Sequence, residues 1–72
     1  GRLGETVMLG LRLREGADLE ALTDRFGVDV EARFSEAIAW SLDRGWAERA
    51  DGRLRLTRAG LPLANEVMSR FV

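Results

Sequence analysis

The ionisable side chains of this chain are all carboxylates and guanidiniums. Its 11 basic residues are all arginine, its 12 acidic residues are aspartate or glutamate, and it has neither histidine nor cysteine. The lack of histidine removes the usual general base at neutral pH. The lack of cysteine excludes disulfides, thiolate metal sites and a cysteine nucleophile. We therefore expect no catalytic, cofactor-binding or metal-binding residue in this chain.

The carboxylates form no catalytic pair in the sequence pattern. Asp18 and Asp29 stand where a helix N-cap belongs, and Glu20 and Glu31 fall in the helical turns that follow. Capping and the helix dipole account for all four. The glycines occur singly and form no Gly-x-Gly-x-x-Gly phosphate loop.

Arginines are concentrated in a segment of twofold periodicity after residue 48. Arg53 and Arg55 alternate with leucines, and Arg49 precedes them across an Asp51-Gly52 turn. We favour the solvated face of a two-stranded ribbon for these arginines and keep nucleic-acid contact through Arg49, Arg53 and Arg55 as the alternative. The outward face predicted for the third helix carries Glu36 and Asp43 against a single arginine, which opposes approach to phosphates. No nucleic-acid partner is expected.

The apolar periodicity predicts four helices and a hairpin. A first helix is predicted over 3–13, a second from the Asp18 cap to Gly27, a third from the Asp29 cap to Gly45, and a last helix after Thr57. Pro62 allows the last helix to begin as late as Leu61. The predicted strands are Trp46 to Arg49 and Arg53 to Leu56. The inward side expected for the third helix is lined by Val30, Phe34, Ile38, Ser41 and Leu42. The apolar stripe expected on the last helix is Leu61, Ala64, Met68 and Phe71.

This order of elements predicts a mostly α fold with a small β-hairpin, of the winged-helix (winged helix-turn-helix-like) type. A small helical bundle with an attached hairpin is the alternative. With 72 residues and 46% hydrophobic content, the chain can bury one core, so residues 1–72 are predicted to be one domain.

The first residue, the overall charge and the hydropathy indicate the cellular location and the partners to expect. The chain begins with glycine, from which we expect a piece of a longer protein. The formal charge of −1 draws it to neither nucleic acid nor an anionic membrane. Without a membrane-length apolar run or a signal-peptide pattern, we expect a soluble, cytoplasmic protein with no membrane partner.

The first helix carries apolar residues on two faces. Leu3, Val7, Met8 and Leu11 fall on one side of a helical wheel, and Leu9 and Leu13 on another, with Glu5 and Arg12 between them. We predict that Leu3, Val7 and Leu11 pack inside the domain, and that Glu5, Leu9, Arg12 and Leu13 belong to a domain interface. The alternative is that the hairpin and last helix wrap round and bury both faces.

Both tryptophans lie near the end of the third helix. Trp46 is predicted to be core, sealing the hairpin to the helices. Trp40 falls on the outward face, so it is predicted to be partly buried against the hairpin, or else to anchor a protein partner.

Several segments of the chain form a recognisable pattern. The most specific is Glu5–Leu19, with its Leu-Gly-Leu-Arg-Leu run; Leu54–Gly60 and Leu63–Val67 follow downstream. Together with Arg25-Phe26-Gly27 and Gly45-Trp46, they extend over essentially the whole chain. This pattern resembles the C-terminal domain of oxygen-independent coproporphyrinogen III oxidase-like radical SAM proteins, a family that includes haem chaperones.

The resemblance implies an accessory domain of a larger oxidoreductase, which packs on an upstream catalytic barrel and helps enclose a porphyrinogen or haem. It implies an iron–sulfur cluster and S-adenosylmethionine in that barrel, held through cysteines that this chain lacks. The resemblance assigns no catalytic role to any residue of this chain. A transcriptional regulator's DNA-binding domain and a protein-interaction module are the alternatives.

Overall fold

The computed structural model of the protein describes residues 2–71; Gly1 and Val72, the ends of the predicted domain 1–72, lie outside the described residues. The elements are α1 (Arg2–Arg12), α2 (Leu19–Phe26), α3 (Val30–Arg33), α4 (Ser35–Asp43), β1 (Ala47–Ala50), β2 (Arg53–Leu56) and α5 (Ala64–Ser69), with a 3-10 turn at Leu61–Leu63. The predicted class, mostly helical with a small hairpin, is confirmed. The winged-helix type stays a prediction.

The predicted caps at both ends of α2 are present. The Asp18 side chain accepts a hydrogen bond from the Ala21 N–H at 3.0 Å. At the other end, Gly27 adopts a left-handed conformation with φ of 70° and donates its N–H to the Thr23 carbonyl. Asp29 caps α3 in the same way, accepting from the Ala32 N–H at 3.2 Å. These caps stop α2 and start α3 within a few residues, and so set the turn between them.

The third helix was predicted to be continuous, but it breaks at Phe34 into α3 and α4. Phe34 has φ of −109° and ψ of 23°, outside helical geometry. Its ring is buried and packs on that of Phe71, with centroids 5.4 Å apart. We attribute the break to this packing, because tertiary contacts outweigh a weak local helical preference. Val30 and Ile38 are still buried on either side of the break, as the periodicity predicts.

The hairpin forms around the predicted Asp51-Gly52 turn. Ala47 pairs with Leu56, and Ala50 with Arg53. Asp51 and Gly52 both have positive φ, 52° and 75°, as a two-residue hairpin turn of this kind requires. The first strand begins one residue later than predicted, at Ala47.

The hairpin is fastened to the helices through β2. Leu54 is fully buried, and its backbone exchanges two hydrogen bonds with Ala17, of 2.7 and 2.9 Å. Ala17 lies in the link between α1 and α2. The bridge therefore places the hairpin beside the end of α1.

The last helix begins later than Thr57, and its buried stripe differs from the predicted one. The Thr57 hydroxyl accepts from the Gly60 N–H within a turn, and helical structure starts at Leu61, the later of the two predicted starts. Leu61 was predicted to be core but is 50% exposed, whereas Val67, absent from the predicted stripe, is fully buried. The 3-10 turn at Pro62 changes the angular phase of the residues that follow.

The core joins all these elements. Its largest fully buried side chains are Val7 and Leu11 of α1, Val30 of α3, Leu54 of β2, and Val67 and Phe71 at the C-terminal end. Over residues 2–71, no helix has the length and apolar character needed to cross a membrane.

Candidate functional site

Two exposed leucines lie on the outer face of α1 and just beyond its end. Leu9 is in the helix and 66% exposed; Leu13, which the predicted helix 3–13 included, lies in the bend after α1 ends at Arg12 and is 54% exposed. Val7 and Leu11, on the inner face of α1, are 0% and 1% exposed. The hairpin and α5 therefore leave this face open. Whether another domain covers it stays a prediction.

Two shallow apolar grooves run along the sides of Leu9. The first lies between α1 and α5 and encloses about 340 Å³. The second lies between α1 and α2 and encloses about 360 Å³, with Leu13, Ala21 and Leu22 among its lining residues. Leu9 therefore forms a ridge with a groove on either side. We call this surface, Leu9 and Leu13 with the two grooves, the α1 outer face.

The first groove brings three of the four predicted interface residues together. Glu5, Leu9 and Arg12 line it with Met8 and Met68. Glu5 and Arg12 are exposed and supply opposite charges to the groove. Among the described residues, neither forms an ion pair. The fourth predicted residue, Leu13, lines the second groove.

Sequence reasoning did not bring Met8 and Met68 together. It placed Met8 on the same side of the helical wheel as Val7 and Leu11, and Met68 in the apolar stripe of the last helix. The structure leaves both partly exposed in the first groove. Their helices are far apart in the chain, so no local periodicity could have paired them.

A close helix contact forms the floor of the second groove. A Cβ atom added at Gly10 would stand 2.8 Å from the Cβ of Ala17, closer than real Cβ atoms approach. The absence of a side chain at Gly10 therefore lets the link after α1, with Ala17, lie directly against the helix.

The hairpin arginines, the alternative nucleic-acid contacts, have acidic partners. Arg49 binds the Glu31 carboxylate through both terminal nitrogens, at 2.8 and 2.9 Å. Arg55 donates to Glu48 at 2.7 Å and to the Arg14 carbonyl at 3.1 Å. Arg53 lies 3.9 Å from Asp18.

These pairs reduce the positive potential of the hairpin. The hydrogen bonds that Arg49 donates to the Glu31 carboxylate, together with the negative charge of that carboxylate, raise the pKa of Arg49 above its ordinary value. A phosphate would have to compete with a carboxylate at each of the three arginines. The geometry thus favours a solvated ribbon face, and the expectation of no nucleic-acid partner stays a prediction.

The two tryptophans pack on each other. The rings of Trp40 and Trp46 meet edge to face, with centroids 5.2 Å apart. Two guanidinium carbons lie near the Trp40 ring centre, that of Arg70 at 4.3 Å and that of Arg44 at 5.1 Å. Trp40 is partly buried, as predicted, against Trp46, which was predicted to open the hairpin and directly precedes β1. Trp46 was predicted to be core and is only partly buried, because it packs on a surface side chain.

The residues of this chain do not fit an iron–sulfur cluster. Such clusters need cysteine thiolates, and the sequence contains none. No group of three or more His, Cys, Asp or Glu side chains in residues 2–71 could hold a metal ion.

Comparison with known proteins assigns the chain to a family. No curated protein and no solved structure gives a significant match. The family model of the HemN C-terminal domain matches residues 2–63, which run from α1 to the end of the 3-10 turn and leave α5 outside. The match confirms the resemblance seen in the sequence. Since it covers most of the chain, the protein belongs to the HemN C-terminal domain family, the C-terminal domain of the coproporphyrinogen III oxidase and radical SAM family.

Proposed function

We propose that this chain is a non-catalytic accessory domain that packs, through the α1 outer face, on the catalytic barrel of a radical SAM coproporphyrinogen III oxidase-like protein. In that position it helps enclose a porphyrinogen or haem. The observation that carries the proposal is the exposure of Leu9 and Leu13 in a chain of this family.

The energetics of an exposed leucine support a covered state. Fully burying a leucine side chain contributes about 1.5–3 kcal/mol. Leu9 and Leu13 forgo much of this in the isolated chain, since each is more than half exposed. The grooves beside Leu9 can receive apolar side chains from a partner, and the charges of Glu5 and Arg12 can orient it.

The barrel, in this proposal, supplies the iron–sulfur cluster and S-adenosylmethionine, and with them the radical chemistry. This chain's residues cover the barrel and exclude water from part of its surface. The proposal assigns no proton or electron transfer to any side chain described above.

Serine substitution of both leucines tests the interface. In the isolated chain, the double variant Leu9→Ser and Leu13→Ser should leave the thermal midpoint nearly unchanged and reduce self-association, measured by calorimetry and sedimentation. Leu61→Ser is the matched control, because Leu61 is also 50% exposed but lies on the 3-10 turn. A destabilisation of several kcal/mol, on the scale of about 2–5 for truncating a buried leucine, would show that Leu9 and Leu13 are core.

The complete gene product tests the docking itself. There, the double variant should release the domain, seen as faster limited proteolysis between the domains and weaker tetrapyrrole binding, while Leu61→Ser behaves as the parent. If the double variant and the parent are cleaved at the same rate, the α1 outer face is not the interface.

A further inference from the structure

The chain's only two sulfur-containing side chains meet in one groove. The sequence has two methionines and no cysteine. Met8 of α1 and Met68 of α5 both line the groove beside Leu9, although they are far apart in the chain. Both are partly exposed. All the sulfur chemistry available to this chain is therefore on the α1 outer face.

Oxidation by a peroxide changes the polarity of a thioether without breaking the chain. Its sulfur attacks an oxygen of a peroxide, the O–O bond breaks, one oxygen transfers to the sulfur, and with hydrogen peroxide the other oxygen leaves as water. The product, methionine sulfoxide, is polar where the thioether was apolar, and a thiol-dependent reductase reverses the change.

We propose that Met8 and Met68 form an oxidation-sensitive contact that controls docking of the α1 outer face; this rests on the function proposed above. In the reduced state the thioethers present an apolar groove to the partner. A sulfoxide brings a strong hydrogen-bond acceptor into that groove, and covering it without a donor is unfavourable. Peroxide thereby weakens the contact.

The two neighbouring charges do not compensate for this change in the same way. Arg12 lines the same groove and its guanidinium can donate to a sulfoxide oxygen, whereas the Glu5 carboxylate cannot donate. Two sulfoxides bring twice as many new acceptors into the groove as one, and both must share that single guanidinium. We therefore expect oxidation of both methionines to weaken docking more than oxidation of one.

Peroxide titration of the isolated chain tests accessibility. Hydrogen peroxide should add one oxygen to each of Met8 and Met68, located by peptide mass spectrometry, while the thermal midpoint stays close to that of the untreated chain. The variant Met8→Leu with Met68→Leu should gain no mass and serves as the oxidation-resistant control. A rate of oxidation tens of times slower than that of free methionine would mean that the sulfurs are shielded, and would overturn the proposal.

The complete gene product tests the effect on docking. We use two double variants at Met8 and Met68: leucine keeps the groove apolar, and glutamine imitates the polar sulfoxide. We expect the leucine variant to stay docked and to be unaffected by peroxide, and the glutamine variant to be at least about tenfold more sensitive to limited proteolysis between the domains. The leucine variant and the parent share the rest of the protein, so a difference between their sensitivities to peroxide is due to Met8 and Met68.

The outcomes separate this inference from the proposed function. If Leu9→Ser with Leu13→Ser releases the domain but the glutamine variant and peroxide do not, the interface stands and the oxidation proposal fails. If the leucine double variant is as sensitive to peroxide as the parent, another residue is responsible and the proposal also fails. If serine at Leu9 and Leu13 changes nothing, the interface itself is wrong.

Discussion

The hairpin and the α1 outer face are both exposed, yet the chain provides partners for only one of them. On the hairpin, Arg49, Arg53 and Arg55 each have a carboxylate within ion-pair distance. On the α1 outer face, Leu9 and Leu13 are exposed beside open grooves. The charged groups of the hairpin are paired within the chain and hydrated by water. Covering the α1 outer face with another apolar surface, by contrast, lowers the free energy.

The same contrast exists between the two faces of α1 itself. Leu11 and Leu9 are two residues apart and chemically identical, but one is 1% exposed and the other 66% exposed. Residue type alone therefore does not assign a leucine to the core or to an interface. The energetic difference between these positions can be measured directly.

Truncating one leucine on each face of α1 should give the largest difference. Leu11→Ala should lower the free energy of unfolding by about 2–5 kcal/mol, because it leaves a cavity among core side chains. Leu9→Ala should change it by no more than about 0.5 kcal/mol, as for an ordinary surface position. Urea unfolding of both variants measures the difference. Equal losses would erase the distinction between the two faces.

Filling the close contact under the second groove should have an intermediate effect. Gly10→Ala improves helix propensity by about 1 kcal/mol, but its Cβ would stand 2.8 Å from the Cβ of Ala17. Overpacking of this kind costs about 1–3 kcal/mol, so we expect net destabilisation in thermal unfolding. Gly10→Ala combined with Ala17→Gly removes the nearest clashing atom and should recover part of the loss. A more stable single variant would show that the contact is loose.

Breaking the hairpin ion pair should have the smallest effect. Glu31→Gln should lower the free energy of unfolding by less than about 1 kcal/mol, because both side chains of the pair are about half exposed and screened by water. Glu15→Gln, at an exposed residue with no ion pair in the described part of the chain, is the control. The difference between the two variants should shrink in concentrated salt. A loss of several kcal/mol would mean that the hairpin depends on this pair.

The pKa of Arg49 adds a pH criterion to that experiment. Because the folded-state pKa is raised, the pair's contribution is fully present below the unfolded pKa and is lost only as pH rises through the folded value. Unfolding measured between about pH 7 and pH 10 should show no change from this group, since an arginine titrates well above that range.

Local signals in the sequence predicted most of the elements and their ends. Asp18 and Gly27 bound α2 as predicted, because capping depends on atoms within a few residues of one another. The Asp51-Gly52 turn set the hairpin register for the same reason. The periodicity of α1 also separated Leu9 from Val7 and Leu11, since a helix of known pitch fixes which side chains share a face.

The errors fall where distant parts of the chain meet. Phe34 interrupts the predicted third helix as its ring packs on Phe71, and Val67 rather than Leu61 enters the core once the 3-10 turn changes the phase. The placement of Trp46 depended likewise on Trp40. None of these contacts has a signature within one element.

The sequence by itself determined the kinds of chemistry open to this protein, because without cysteine or histidine no thiolate or imidazole can act, whatever the fold. It also determined the helices and the turn, whose caps and periodicities are local. Only the tertiary structure decided which groups meet: Met8 with Met68 in one groove, and Arg49 with Glu31 on the hairpin. The physical reason is that such pairs depend on how elements distant in the chain pack against one another, and that packing minimises the free energy of the whole core rather than of any one segment.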